Sequence, residues 1–427
     1  MATTLARAIV GLVVLLTSVP VARANETDPD VVLEGNQLLQ TTLPATVGPT
    51  SPRYYAMLHI AMFDAINAIE RQYEPYRVRL HHASSGSPEA AAAQAAHDVL
   101  TGLFPSSKPA YDAALARWLG SHQSDFVRRG AALGAVVAEQ ILAWRRNDGW
   151  ANPQPVYVLP PFPGLWQSTP PNFPVAVLTH AGNVMPFALV TPTQFLPPPP
   201  PLPTSAAYAA DFEEVKSVGK SDSAVRTQDQ TEIARVWAGI GATGTGTSTS
   251  MFAVWNNVVS DVVRERGLPL VDAARLFTLV NVSMHDGIQS SAAAKYVYGL
   301  WRPVTAVRRA DEDLNDATQP DAAWLPFLTT PPYPSYPGNM SAVGYTAARA
   351  LELAFSTNDI PVTARWRQSN GSPDVLHTHP RFSLLADEQA RSRVLGGIHY
   401  QFDSDASREM ARKIGDYVFA NYMTPLK

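Results

Sequence analysis

Apolar residues along this chain recur mostly at helical spacing, with little of the strict alternation that marks half-buried strands. Residues 54–69 (YYAMLHIAMFDAINAI) are apolar nearly all round, which predicts a helix buried on every side. His59 and Asp64 interrupt it, and each reads best as a hydrogen-bonded core group. Ser87-Pro88-Glu89 is a capped helix start with proline at the first helical position, and an alanine-rich helix follows to about 103. Two more helical patterns fill 109–120 and 125–147, the second stopped by Asp148-Gly149. The first 150 residues therefore read as about four helices on short loops, as in a bundle. Residues 25–50 are polar and read as an irregular arm. Further helices are expected over 205–218, 228–239, 251–265, 271–290 and 341–355, with 356–382 irregular and a long helix from near Asp387 to about 423.

Two stretches break the helical pattern. Prolines crowd 153–174 and 197–203, and proline blocks both helix and central strand, so 151–204 is a long loop excursion. Its aromatic residues, Trp166 and Phe173 among them, predict packing on the helical body, either walling a site mouth or linking two bundles. The run 241–250 is a Gly/Thr/Ser loop without the Gly-Lys-Ser/Thr of a nucleotide-binding loop, so it receives no phosphate role. Aligned on their aspartates, 279–288 (LVNVSMHDGI) echoes 57–66 (MLHIAMFDAI), which fits two similar bundles. Asp286 is then a candidate partner for a cationic residue.

Composition narrows the function classes. There are 427 residues, 46% of them hydrophobic, enough for a large core; a net charge of −4 gives no footprint for a nucleic-acid partner. With no cysteine there is no disulfide, thiolate nucleophile or cysteine metal site. Arg7, the apolar run 9–16 and Ala22-Arg23-Ala24 form a basic start, a short apolar core and a small-x-small cleavage site. Residues 1–24 thus read as a signal peptide, the mature protein as exported (periplasmic or secreted), and no later segment reads as a membrane span. His377-Thr378-His379 has metal-binding spacing for a strand but no third ligand in view.

The candidate chemistry gathers near the C-terminus. His399 and Asp403 stand four apart, which in a helix puts them on one face. The carboxylate there accepts a proton from one ring nitrogen and leaves the other's lone pair facing outward. Arg393 adds a forked donor suited to an oxyanion. Gly396 and Gly397 lie between, where a backbone must pass close to something. Upstream, Lys295 and Arg302 are seven apart, about two helical turns, with only apolar or aromatic residues and one glycine between them. Like charges on one apolar face repel unless an anion lies between them.

Lys295, six residues, Arg302-Pro303, and then Ser392-Arg393, five residues, His399, three residues, Asp403, resembles the vanadium-dependent haloperoxidase and type 2 phosphatidic acid phosphatase superfamily, in its soluble bacterial haloperoxidase-like branch. The resemblance covers the last third of the chain directly. It implies an all-α fold of two packed helical bundles, here 25–204 with the proline-rich excursion and 205–427 with the site. It also implies orthovanadate held by Lys295, Arg302 and Arg393, with His399 as the protein ligand to vanadium and Asp403 orienting it. Small-molecule partners would be hydrogen peroxide and a halide; association with further copies of the chain is left open. One element departs: where the family has Pro-Ser-Gly-His, this chain has Pro337-Gly338-Asn339-Met340. Gly338 and Asn339 remain candidate anion donors, but methionine moves no proton. Two alternatives follow. One is an acid phosphatase working through a phosphohistidine on His399, with phosphate and a phosphoester in place of vanadate and halide. The other is a silent phosphate- or vanadate-binding protein.

Overall fold

The computed structural model describes residues 28–80, 85–120, 124–238 and 249–426. The signal-type segment 1–24 and most of the Gly/Thr/Ser run 241–250 lie outside the described residues. The helices follow the predicted periodicity closely. They are α1 (Asp30–Thr42), α2 (Ser51–Glu70), α3 (Pro88–Leu103), α4 (Lys108–Leu119), α5 (Asp125–Arg146), α6 (Ala206–Val218), α7 (Gln228–Val236), α8 (Met251–Arg266), α9 (Leu270–Tyr298), α10 (Pro303–Arg308), α11 (Asn339–Phe355), α12 (Phe382–Leu395) and α13 (Gln401–Asn421). A hairpin of β1 (Val362–Trp366) and β2 (Val375–His379), antiparallel with Val362 opposite His379, supplies the strands named among the described residues.

Local chemistry sets the helix ends. Ser87, Ser124, Ser205, Thr227 and Ser250 each accept a hydrogen bond from a first-turn N–H, satisfying donors that have no partner inside the helix. Gly299 ends α9 in the left-handed region at φ 61°, where a side chain would be strained. Helices α2, α3 and α5 pack as one bundle, and α9, α11 and α13 as another. Helix α2 lies along α9, so one apolar core runs from Val31 to Met423 across the 204/205 division. A second apolar cluster, including Tyr208, Trp301, Trp324 and Tyr400, lies against α6 and α10. This is the all-α, two-bundle architecture expected, and no helix among the described residues is long and apolar enough to cross a membrane.

Four details depart from the sequence reading. Residues 30–42 form α1 rather than an irregular arm, because Val32 and Leu39 are fully buried and Asn36 bonds His59 of α2 (3.2 Å). Segment 356–382 contains the hairpin, whose short strands carry too few positions for a period to emerge. The helix carrying Lys295 does not reach Arg302: α9 ends at Tyr298, and Arg302 is the N-cap of α10. The helix near Asp387 begins at Phe382 and is broken by Gly396 and Gly397, so His399 lies between α12 and α13.

The sequence echo is structural. Asp64 of α2 accepts N–H bonds from Tyr76, Arg77 and Val78 (2.7, 2.9 and 2.8 Å). Asp286 of α9 accepts from Phe187, Ala188 and Leu189 (2.8, 2.7 and 3.0 Å). Each buried carboxylate gathers three consecutive backbone donors of a distant loop. The expected cationic partner of Asp286 is replaced by loop backbone, with the neutral-leaning His285 ring beside it (3.1 Å). Asp286 thereby pins the end of the proline-rich excursion to α9. The rest of that excursion is fixed by Trp166 N–H to Gly299 O (2.7 Å), Trp301 N–H to Gly164 O (3.0 Å) and Tyr336 Oη–H to Pro198 O (2.5 Å).

Removing either carboxylate leaves three buried N–H groups without acceptors. Asp286→Ala and Asp64→Ala are each expected to lower unfolding free energy by about 3 kcal/mol or more, and the Asn variants by less, as read by denaturant or thermal unfolding.

Candidate functional site

The junction between α12 and α13 shapes the centre of the site. Gly397 has φ +75°, and a Cβ there would meet Gly219 O at 2.3 Å; one at Gly396 would meet Leu328 Cδ1 at 2.6 Å. The two glycines thus let the chain turn between α12 and α13 while touching the end of α6. His399 follows in a bend, with extended Tyr400 as N-cap and Asp403 as third residue of α13. Asp403 Oδ2 accepts from His399 Nδ1 (2.6 Å), Ser335 Oγ (2.6 Å) and Tyr400 N–H (3.2 Å). The pairing expected from spacing four therefore forms across a helix start rather than along one helix face.

Three cations close around the imidazole. Arg302 Nη1 lies 3.0 Å from His399 Nε2 and also donates to Ile398 O (2.6 Å), while its Nε donates to Tyr333 O (2.7 Å). Guanidinium nitrogens only donate, so His399 Nε2 is the acceptor and Nδ1 carries the proton given to Asp403. Lys295 Nζ donates to the carbonyls of Pro334, Ser335 and Pro337 (3.0, 2.6 and 2.5 Å). Three acceptors on one nitrogen need three protons, so they hold the ammonium form. Arg393 Nη1 donates to Trp237 O (2.9 Å). Lys295, Arg302, Arg393, His399 and Asp403 are all buried, with at most 5% exposure.

Electrostatics follow from that burial. The His399 imidazole is held well below its usual range, first by burial and then by the charges of Arg302, Lys295 and Arg393. It is thus a neutral base whose Nε2 lone pair is directed at Arg302. Burial pushes Lys295 well below its ordinary value, with Arg302 adding to the shift and Asp403 opposing it. Arg393 is brought down to about 10 chiefly by burial. Asp403 is pushed up to about 6 by burial, against the pull of Lys295, the Ser335 hydroxyl and Arg302.

The altered loop supplies the remaining wall. Gly338 N–H donates to Asp403 O (3.0 Å), so that donor is spent on holding the loop to α13. Ser407 Oγ donates to Gly338 O (2.7 Å). Asn339 opens α11; its Oδ1 accepts the Met340 N–H (3.0 Å), and its buried Nδ2 has no partner among the described residues. Met340 faces a cavity of about 840 Å³, along with Arg393, Tyr333, Val177 of the proline-rich excursion and Phe252. Lys295, Arg302 and His399 are absent from its lining; the Tyr333 ring lies 5.3 Å from Lys295 Nζ and 4.9 Å from the Arg302 guanidinium carbon. Trp301 points away from the cavity and donates to Tyr208 Oη (2.9 Å).

A multiply charged oxyanion fits this donor set. Arg302 Nη2, Arg393 Nε and Asn339 Nδ2 are buried donors without partners among the described residues. Asp403 is the carboxylate in direct contact with the cluster, set against three cations, and unpaired buried charge is costly until a counter-charge arrives. Three contributors had no signal in the sequence: Ser335, Tyr333 and Trp237 act through a hydroxyl, a ring and backbone carbonyls, none tied to spacing. By contrast, His377 and His379 lie away from this cluster, on β2. Both bond Glu388 (2.8 and 3.0 Å), and no set of three or more metal-ligating side chains occurs among the described residues.

Comparison with known proteins agrees with the resemblance read from the sequence. Residues 275–427 match the family model of the VCPO second helical-bundle domain. The vanadium chloroperoxidase of Curvularia inaequalis is 26% identical over 275 residues, covering 51% of this chain and 44% of that protein. The match thus spans less than half of this relative's length. The crystal structure described as the first bacterial vanadium-dependent iodoperoxidase superposes with a TM-score of 0.77 at 23% identity, over 95% of this chain and 98% of that one. A holo-type bacterial vanadium-dependent chloroperoxidase gives 0.72 at 15% identity, over 93% and 98%. The resemblance to the vanadium haloperoxidases is therefore borne out, by sequence over residues 275–427 and by fold over nearly the whole chain.

Gly397→Ala places a methyl group against Gly219 O and strains a left-handed residue two positions before His399. It is expected to cost about 2 kcal/mol or more in thermal unfolding, whereas alanine at exposed Gly371, which has open space around its Cβ position, costs less.

Proposed function

We propose that this chain, which has the fold of the vanadium haloperoxidases, is an exported haloperoxidase-type enzyme that uses a vanadate held at His399. The observation that carries the reading is the 3.0 Å approach of Arg302 to the lone pair of a neutral, Asp403-oriented His399 inside a cluster of buried cations. His399 Nε2 is the residue atom suited to ligate vanadium, with Arg302, Arg393 and the Asn339 amide facing the oxygens and Lys295 adding its charge. When bound, vanadate supplies the Lewis-acid centre that activates hydrogen peroxide for oxygen transfer to a halide.

The chain's own residues account for the rest. Asp403 keeps the Nδ1 proton in place and raises the basicity of Nε2. Ser335, bonded to the same carboxylate oxygen, ties the 333–338 loop to that proton position. Arg302 and Arg393 neutralise oxyanion charge in a water-poor setting where each is worth more than at the surface. Lys295 contributes its charge through the loop whose three carbonyls it holds. The cavity beside Arg393 and Met340 gives peroxide and halide a way in. Met340 offers no proton to a leaving alkoxide, which places the phosphatase reading second: expelling an alcohol from a phosphoester needs an acid more than oxygen transfer does.

Calorimetry of the mature protein is expected to show orthovanadate binding that weakens at least about tenfold in His399→Ala, with peroxide-dependent iodide or bromide oxidation in the unchanged protein only. Binding without oxidation would move the reading to phosphatase or silent anion carrier. Saturating vanadate, at about 100 times its dissociation constant, is expected to stabilise the fold by about 2.7 kcal/mol in thermal unfolding. Without an acid at position 340, iodide, the most easily oxidised of the halides, is expected to react fastest, and Met340→His to narrow the gap to bromide. Export is checked by sequencing the N-terminus of the mature protein, expected at Asn25.

A further inference from the structure

A second cluster of titratable side chains lies behind Arg393. Helix α12 carries both Glu388 and Arg393, and Trp237, the C-cap residue of α7, sits between them. Trp237 is fully buried. Its indole N–H donates to Glu388 Oε1 (2.8 Å), and its carbonyl accepts from Arg393 Nη1 (2.9 Å). One residue is thus gripped at both ends by one helix. Trp366 of β1 closes a further side, edge to face, with 4.9 Å between ring centres.

Glu388 is itself fixed from β2. His377 Nδ1 donates to Oε1 (2.8 Å) and His379 Nε2 to Oε2 (3.0 Å). His377 Nε2 meets Glu232 Oε1 of α7 (3.3 Å). An imidazole between two carboxylates bonds both only when each ring nitrogen carries a proton. The groups facing His377 are Glu388 of α12, Glu232 of α7 and the Trp366 ring of β1 (5.0 Å); His379 shares the Glu388 carboxylate from β2.

We propose that Trp237, locked in place by Glu388 and the two β2 imidazoles, is a positioning residue that aims Arg393 at the bound anion. The inference rests on the anion-site reading above and adds a regulator to it. Arg393 Nε has no partner among the described residues, and the Trp237 carbonyl accepts from Nη1 and orients the guanidinium. Deprotonation of His377 makes the Glu232 contact repulsive and loosens α7, the helix that ends at Trp237, from β2. The hydrogen bond to Glu388 raises the proton affinity of His377 above its ordinary value. A raised value means that the grip is complete below the ordinary imidazole range and is lost as pH rises through the raised one.

The test measures inorganic phosphate affinity of the full chain by calorimetry. Trp237→Phe keeps the ring and the backbone carbonyl but removes the indole donor; it is expected to weaken phosphate binding about tenfold, with Glu388→Ala similar and the double variant little worse than either. His377→Gln is expected to flatten the decline in affinity that the unchanged protein shows over about pH 6 to 8, taken as a ratio so that the titration of phosphate itself cancels. Unchanged phosphate affinity in Trp237→Phe alongside a lowered melting temperature would mean a structural role only and overturn the proposal. Should Trp237→Phe fail to fold, the His377→Gln profile decides alone: a slope equal to the unchanged protein's overturns it. If the unchanged protein binds no phosphate, both this inference and the anion-site reading fall. If Arg393→Ala binds weakly while Trp237→Phe and His377→Gln behave as the unchanged protein, this inference alone falls.

Discussion

The site depends on one buried carboxylate. Asp403 is the acid in direct contact with a cluster that holds Lys295, Arg302 and Arg393, and it takes hydrogen bonds from an imidazole, a hydroxyl and a backbone amide at once. Those contacts tie together the start of α13, the loop that precedes α11 and the tautomer of His399. Its charge offsets part of the repulsion among the cations, while burial raises the cost of keeping it ionised. A multiply charged anion relieves that imbalance, so the arrangement that is awkward for folding is the one that suits binding.

The scaffold repeats the same device for a different end. Asp64 and Asp286 occupy matching places in α2 and α9, and each satisfies three consecutive amides of a loop that would otherwise bury unpaired donors. Through Asp286, the proline-rich excursion is held to α9, the helix that carries Lys295 in its last turn. The excursion is thus both strap and wall: it bonds α9 and the 331–337 segment, and Val177 reaches the cavity.

The altered loop changes the proton chemistry more than the charge. Gly338 gives its N–H to Asp403 O and accepts from Ser407 Oγ, which places the loop firmly, while the buried Asn339 Nδ2 has no partner among the described residues. Met340 fills the place of an acid with a thioether beside Arg393 at the cavity. On the reading proposed above, such a site stabilises negative charge well and delivers protons poorly, which suits oxygen transfer better than ester hydrolysis.

Sequence alone determined the helices, because a 3.6-residue period with capping residues is local information, and α2, α3, α5, α6, α8 and α11 fall within a few residues of expectation. It also picked out, through fixed spacings, the buried cations, imidazole and carboxylate that the fold brings together, and the glycines at 396 and 397 that a close backbone approach requires. What it misjudged was the geometry those spacings express. The seven-residue spacing of Lys295 and Arg302 reads as two turns of one helix, but Gly299 ends α9 between them. The four-residue spacing of His399 and Asp403 reads as a helix face, but the pair spans a helix start. Spacing cannot tell a turn from a continued helix when tertiary contacts decide which wins. Ser335, Tyr333 and Trp237 escaped altogether, because carbonyls, rings and hydroxyls brought together from distant segments leave no period in the chain. Only the folded structure, which packs distant segments against the buried cations, brought them to the site.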